Sequence, residues 1–447
     1  MTRLVDEASP AYATLRDLVA SDRLLVVTGS GISAPMKRAD GTRMPQWSEL
    51  LRDIMDATGP TLDDDTRAAC KVLLDVTPAD GEMLIEAATM LERIDPVAFA
   101  SAFRAQVTPR AGETTDTHRA IVKVNPRGVL TFNYDEGHEN AWREAGADVP
   151  EVLLPYDEQD LVTAIRGGLA KPFILKAHGS LDSSEPLVLS YVAYRDLLAK
   201  RPAYRAFLHH LLTNFSMLIV GFSGIDPDFN LLMNTLVEEF GSPIHPHVLI
   251  RKVDATDAKQ EAHAVLSHRR HGIETLWVSD FPMIPALLEK SLHTPGPKLE
   301  AVLRDAVKGG PDERRRAHRH FRDLGPTGRV CAQGALKKML ADPTLTASGH
   351  YVSEIAYSLG TIDPEGNKEL LMQIVEDELL RGRADPPARA LTVLRGALLL
   401  SDRPRIERWL TMTGALRDDP EQRIDAYLRY LLVYVKHRWN SDKSRPV

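Results

Sequence analysis

The sequence predicts an α/β fold, a doubly wound parallel sheet with a helical insertion, followed by an all-α C-terminal domain. Three observations predict it. Short apolar runs such as "LLVVT" (24–28) and "SMLIV" (216–220) are separated by helix-length segments, the spacing of β-α-β units. Beyond residue 293 only helical patterns appear, among them "LLMQIVEDELL", "ALTVLRGALLL" and "RIDAYLRYLLVYVKHRW". The length of 447 residues exceeds one ordinary core.

Residues 1–20 read as a helix, with Leu4, Tyr12, Leu15, Leu18 and Val19 at roughly helical spacing. Residues 24–28 come next as a buried strand. In "PQWSELLRDIM" (45–55) Pro45 opens a helix, and Trp47, Leu50, Leu51 and Ile54 share one face, with Trp47 read as core. The helical insertion runs over about 56–120, with breaks near Pro78 and Pro96. Five further strands are expected in "GVLTFN" (128–133), "KPFILKAHGS" (171–180), "SMLIVGFS" (216–223), "PHVLIRK" (246–252) and "IETLWVS" (273–279). A helix, "DFNLLMNTLVEEF", comes after the strand at 216–223. The prolines and glycine of "HTPGPKLE" (293–300) mark a boundary, so the expected domains are 1–292 and 293–447.

Composition narrows the function classes. The net charge of −7 divides unevenly: residues 295–447 carry 26 Lys+Arg against 21 Asp+Glu, leaving the remainder at −12. An acidic body of this kind argues against direct nucleic-acid binding. Cys70 and Cys331 are the two cysteines, too few for a disulfide framework or a four-cysteine zinc site. No run of eighteen apolar residues exists, so no membrane span is expected, and the acidic early N-terminus lacks an export signal core. The expected location is the cytoplasm.

Parallel strands place their C-terminal ends on one edge, where ligands of such sheets bind. Four polar clusters fall at those ends. After the first strand, Gly29-x-Gly31-x-x-Ala34 fits the spacing of a dinucleotide fingerprint, which makes the sheet Rossmann-like; a plain structural turn fits equally well. After the second come Asn133 and Asp135, residues that also make Asx turns and helix caps. After the third comes His178, whose free pKa is close to neutrality. After the fourth come Gly221, Ser223, Gly224 and Asp226, the last a helix cap or a ribose ligand.

Taken in order, "TGSGIS", "TFNYD", "KAHGS" and "VGFSGIDPD" resemble the four motifs of the sirtuin family, over about residues 20–285. The resemblance implies that Gly29, Ser30, Gly31, Ile32 and Ser33 wrap the pyrophosphate of NAD and its flanking riboses. By the same resemblance Asn133 holds the nicotinamide ribose and the attacking water, Asp135 faces the nicotinamide amide, and His178 is the general base. Gly221, Ser223 and Asp226 would contact the adenosine half. The chain departs from the family in four places: it cannot supply the four-cysteine zinc module, "GTRMPQW" (41–47) replaces the stretch after the first loop, Phe132 stands where the family has glutamine, and the insertion over 60–120 reads as helical. These departures are similar to those of the zinc-less sirtuin-like domains of bacterial anti-phage systems.

The function so implied is an NAD+ glycohydrolase, releasing nicotinamide and ADP-ribose, acting in defence by NAD depletion, with NAD as substrate and no metal. An off state is expected, controlled by homo-oligomerisation or by a partner sensor such as a HerA-type ATPase, an Argonaute-like protein or another defence component. The alternatives are an NAD-dependent protein deacylase or ADP-ribosyltransferase, and a non-enzymatic NAD- or ADP-ribose-binding regulatory module. The basic stretch "DERRRAHRHFR" (312–322) reads first as a solvated helix face.

Overall fold

A computed structural model describes residues 7–45, 47–58, 62–75, 81–183, 187–222, 233–234, 245–253, 258–383 and 385–414. The chain divides into two units, Met1–Leu292 and His293–Val447.

The first unit is built on one parallel sheet of seven strands: β1 (Leu24–Thr28), β2 (Gly128–Thr131), β3 (Glu151–Leu153), β4 (Phe173–Lys176), β5 (Ser216–Val220), β6 (His247–Lys252) and β7 (Ile273–Val278), in the order β3-β4-β2-β1-β5-β6-β7. The order reverses at β1, so the crevice outside the C-terminal ends of β1 and β5 is the topological switch point. The register aligns those ends. Thr28 is level with both Thr131 and Val220, and Thr131 is level with Lys176.

The central strands β1, β2, β4 and β5 are largely apolar because both of their faces are covered. Alternate residues go to alternate cores. Leu25, Val27, Leu130 and Leu175 pack with Leu161 of α8 (Glu158–Arg166), Tyr194 of α9 (Tyr191–Lys200), and Tyr204 and Phe207 of α10 (Pro202–Asn214). Leu24, Val26, Val129 and Ile174 pack with Leu15 of α1 (Pro10–Ala20), Ile121 of α6 (Asp116–Val124) and Leu288 of α12 (Met283–Ser291). Two further helices, α7 (Gly137–Glu144) and α11 (Ala258–His271), complete the layers. The helix expected at 45–55 is α2 (Trp47–Ala57), and the insertion folds as α3 (Asp64–Leu74), α4 (Gly81–Ile94) and α5 (Pro96–Val107); the four pack around Leu51, Ile54, Leu91, Phe99 and Phe103. Pro96 starts a helix here: it occupies the first turn of α5, and the Asp95 side chain accepts from the Ala98 N–H.

Two differences from the sequence reading have physical reasons. Strand β3 was absent from the expected set; it is three residues long, lies at the sheet edge and exposes two of the three, so no apolar run announces it. The strands at 128, 171 and 216 also stop two to four residues earlier than expected, at Thr131, Lys176 and Val220. Phe132, Asn133, Ala177 and His178 therefore lie past the strand ends. The Trp47 side chain, most of the helix expected after residue 224, the helix over 423–439, Ser223 and Asp226 fall outside the described residues.

The second unit is helical over its described residues: α13 (Pro297–Lys308), α14 (Pro311–His320), α15 (Pro326–Leu340), α16 (Gly349–Ile362), α17 (Lys368–Leu380), α18 (Asp385–Leu394) and α19 (Arg403–Gly414). Helices α13, α14 and α15 each open on Gly-Pro, with proline where an N–H would have no intrahelical partner. Helix α16 is the central one. It buries Val352, Ile355, Ala356 and Leu359, and its buried Glu354 is paired by Arg314 at 3.4 Å and Arg389 at 2.7 Å.

Candidate functional site

The double-glycine turn leaves β1 and is laced to the end of β5. Gly29 N–H donates to the Val220 carbonyl at 3.1 Å, and Gly31 N–H donates to the Gly221 carbonyl at 2.9 Å. A Cβ on residue 31 would meet the Gly221 oxygen at 2.8 Å and its Cα at 3.0 Å. Gly221 itself has φ +80°, and a side chain there would meet Ile32 N at 2.8 Å. Glycine is thus required at both ends by backbone against backbone. The chain continues as a single 3₁₀ turn, Ser30–Ile32, rather than the α-helix of a dinucleotide fingerprint. The N–H groups of Gly29, Gly31, Ile32 and Ser33 are all bonded within the protein. Ser30 and Gly31 are exposed, and Ile32 and Ser33 are buried.

Asn133 closes the turn from the β2 side. Its Nδ2 donates to the Gly29 carbonyl and to Ser33 Oγ, both at 3.0 Å, and its own N–H donates to Thr131 Oγ1. Thr115, the N-cap of α6, adds a bond from its Oγ1 to the Ile32 carbonyl at 3.1 Å. His178, past β4, is buried among rings. Phe132 meets it edge-on at 5.0 Å between centroids, and Tyr134 and Tyr194 lie at 5.8 and 5.9 Å. It reaches the glycine turn through intermediaries: Phe132 packs on Phe222 at 5.5 Å, and Phe222 lies against Gly29.

Comparison with known proteins bears on this arrangement. Residues 127–275 match the family model described as "SIR2-like domain". Over those residues the chain is similar to the SIR2-like family. The matched span holds Asn133, Asp135, His178 and Gly221, and starts after the glycine turn. A solved structure described as "Structural Basis for the Mechanism and Regulation of Sir2 Enzymes" aligns at 12% identity over 63% of this chain and 97% of its own, with a TM-score of 0.34. No curated protein matches the sequence.

Asp135 does something the resemblance did not imply. Its Oδ1 accepts the Gly137 N–H at 2.8 Å, an Asx turn that starts α7, and its charge acts on His118. This is the alternative the residue type itself allowed. The sequence reading missed the polar layer behind these residues. His138 Nε2 lies 2.9 Å from Thr28 Oγ1, and its ring meets that of His118 edge-on at 4.7 Å. Burial holds His118 down at about 4 and His138 well below the usual histidine value. Lys176, the last residue of β4, pairs with Glu139 of α7 at 2.8 Å, with side chains 1% and 4% exposed. Lys176 also donates to Ser180, which bonds Asp182. Burial pushes the Glu139 carboxyl up against the pull of Lys176; it also pushes Asp182 up, but Ser180 and Lys176 hold Asp182 below its usual value. A charged residue at the end of an otherwise apolar strand, "FILK", was the available signal.

Proposed function

We propose that the first unit is an NAD+ glycohydrolase that cleaves the nicotinamide–ribose bond to give nicotinamide and ADP-ribose. The observation that carries this reading is Asn133, hydrogen-bonded into the β1 glycine turn at the switch point of a SIR2-like sheet. With Nδ2 committed to Gly29 and Ser33, the orientation of the amide is fixed and Oδ1 serves as the acceptor that positions water or a ribose hydroxyl.

In the reaction water adds to C1′ as the C1′–N bond breaks. The bonding pair goes to the pyridinium nitrogen, so nicotinamide leaves neutral and needs no proton. The transition state has oxocarbenium character. The proton lost by water goes to His178. Tyr134 supports that role: its hydroxyl donates to the Val188 carbonyl at 2.6 Å, so its oxygen is the acceptor toward His178 Nδ1, a long contact at 3.4 Å. That pairing favours the tautomer with Nδ1 protonated and Nε2 basic. Of the loop Gly29–Ser33, the exposed Ser30 and Gly31 would face the pyrophosphate and its riboses; by the family resemblance Gly221, Ser223 and Asp226 would contact the adenosine half and Asp135 the carboxamide.

In this reading the protein is a defence effector that depletes NAD, its activity controlled by self-association or by a sensor partner such as an ATPase or Argonaute-like protein. The second unit, 293–447, provides that contact. Incubation of purified protein with NAD, with and without the products of neighbouring genes, and chromatography of the products tests it. Nicotinamide with ADP-ribose is the expected outcome. O-acyl-ADP-ribose or modified protein would assign a deacylase or ADP-ribosyltransferase instead, and tight NAD binding with no turnover under either condition a regulatory module.

A further inference from the structure

The second unit holds a feature that the NAD chemistry leaves unused. A cavity of about 430 Å³ lies on α14, the short 3₁₀ turn after it and α16, lined by Arg315, Arg316, Arg319, Arg322, His318 and Tyr357. Its volume falls in the range of small-molecule sites, about 300–1,000 Å³. The one acid at its edge, Asp312, is paired with Arg315. Arg316, Arg319 and Arg322 recur every three residues. The last lies in the 3₁₀ turn Phe321–Asp323, where residues three apart eclipse, so the three share one side. Among the described residues none of these three guanidinium groups is in an ion pair or a hydrogen bond, whereas neighbouring Arg314 is bound to Gly309 and Glu354.

The wall behind them is fixed. Tyr357 is held between Arg389, whose guanidinium lies 4.8 Å from the ring centroid, and His318, 4.8 Å away edge-on. His318 Nε2 lies 3.2 Å from Ser358 Oγ. The cavity therefore offers donors and positive charge almost without acceptors. That suits several phosphate oxygens close together better than it suits a nucleobase edge. An extended polyanion calls for a long cationic stripe, and here the cations gather in one concavity.

We propose that this cavity binds a small di- or triphosphate anion, free or as the phosphate end of a nucleotide, with Arg316, Arg319 and Arg322 as its ligands. The proposal is independent of the NAD reading. It is tested by calorimetry on the full chain with inorganic tripolyphosphate, with ADP and with a single-stranded oligonucleotide. The parent is compared with Arg316→Ala/Arg319→Ala/Arg322→Ala and with an equal-charge control, Arg304→Ala/Lys337→Ala/Lys338→Ala. All six residues are exposed, so circular dichroism should show both variants folded. The parent and the control should bind tripolyphosphate alike, and the triple arginine variant about a hundredfold more weakly or not at all. Arginine-dependent ADP binding tighter than that of tripolyphosphate would identify a nucleotide, and the reverse a free polyphosphate. The proposal is overturned if tripolyphosphate does not bind the parent at millimolar concentration, if the arginine variant binds it equally, or if only the oligonucleotide depends on the arginines.

Discussion

The side chain of Asn133 donates to the backbone carbonyl of Gly29, 104 positions away in sequence, at 3.0 Å. This bond joins the loop after β2 to the glycine turn after β1, and it gives Asn133 a structural duty in addition to the proposed catalytic one. Asn133→Ala should lower stability by about 1–2 kcal/mol, the cost of leaving buried partners unsatisfied. It should also lower NAD cleavage by roughly 10²-fold or more through lost positioning. Urea unfolding and product chromatography on the same preparation separate the two. Turnover at the parent rate would remove Asn133 from the mechanism.

Two glycines should respond to alanine with opposite signs. At Gly31 the new methyl meets the backbone of Gly221 at 2.8 Å, and neither side can yield without moving a strand end. Gly31→Ala is expected to cost about 1–3 kcal/mol and to weaken NAD binding. At Gly334, within α15, a Cβ meets nothing within 4 Å. Gly334→Ala should therefore stabilise by about 0.5–1 kcal/mol, through helix propensity and a stiffer unfolded chain. Equal effects at the two sites, read from unfolding midpoints, would refute the packing argument.

These residues also show how far the sequence was legible. "LLVVT" and "SMLIV" could be read because strands covered on both faces must be apolar throughout. Gly29 and Gly31 could be located but not explained: what forbids a side chain is Gly221, which only the fold brings there. Phe132 was noticed as a departure from the family, yet its place between His178 and Phe222 depends on where β2 ends. Glu139 and Lys176 went unread, because each alone is an ordinary surface residue type and their pairing requires α7 to lie over the end of β4.

That pair yields a third expectation. Lys176→Met leaves the Glu139 carboxylate buried without its cation, and a broken buried pair costs about 3–5 kcal/mol. The double variant Lys176→Met/Glu139→Leu removes both charges and should recover most of the loss. A double-mutant cycle by urea denaturation measures this. A double variant as unstable as the sum of the singles would show that the pair is not coupled.

Tyr134 should affect rate more than binding. Tyr134→Phe removes the oxygen that faces His178 Nδ1 while keeping the ring against Phe103. If that oxygen selects the basic tautomer, kcat for NAD should fall about tenfold with KM little changed. A rise in KM alone would assign the hydroxyl to substrate binding.

The buried histidines predict how stability depends on pH. Burial lowers His118 to about 4, His247 to about 3 and His138 well below its usual value. Each is neutral in the folded protein, while in the unfolded chain it takes up a proton near pH 6.5. Between the two values the unfolded state binds more protons, so stability rises with pH and is lost as pH falls. The loss begins near pH 6.5 and amounts to roughly 1.4 kcal/mol per pH unit for each histidine fully charged when unfolded. Glu139, whose carboxyl burial pushes up, opposes this trend, and other carboxylates titrate below about pH 5. The window from pH 6.5 to 5 therefore leaves out the other carboxylates, and Glu139 can only make the fall shallower. Urea midpoints at pH 7.5, 6 and 5 should fall modestly across the upper step and more steeply across the lower one. His247→Gln, which replaces the ring whose Nδ1 accepts the Met217 N–H, should make that fall shallower. A midpoint constant from pH 7.5 to 5 would mean that these imidazoles are solvated or charged in the folded chain.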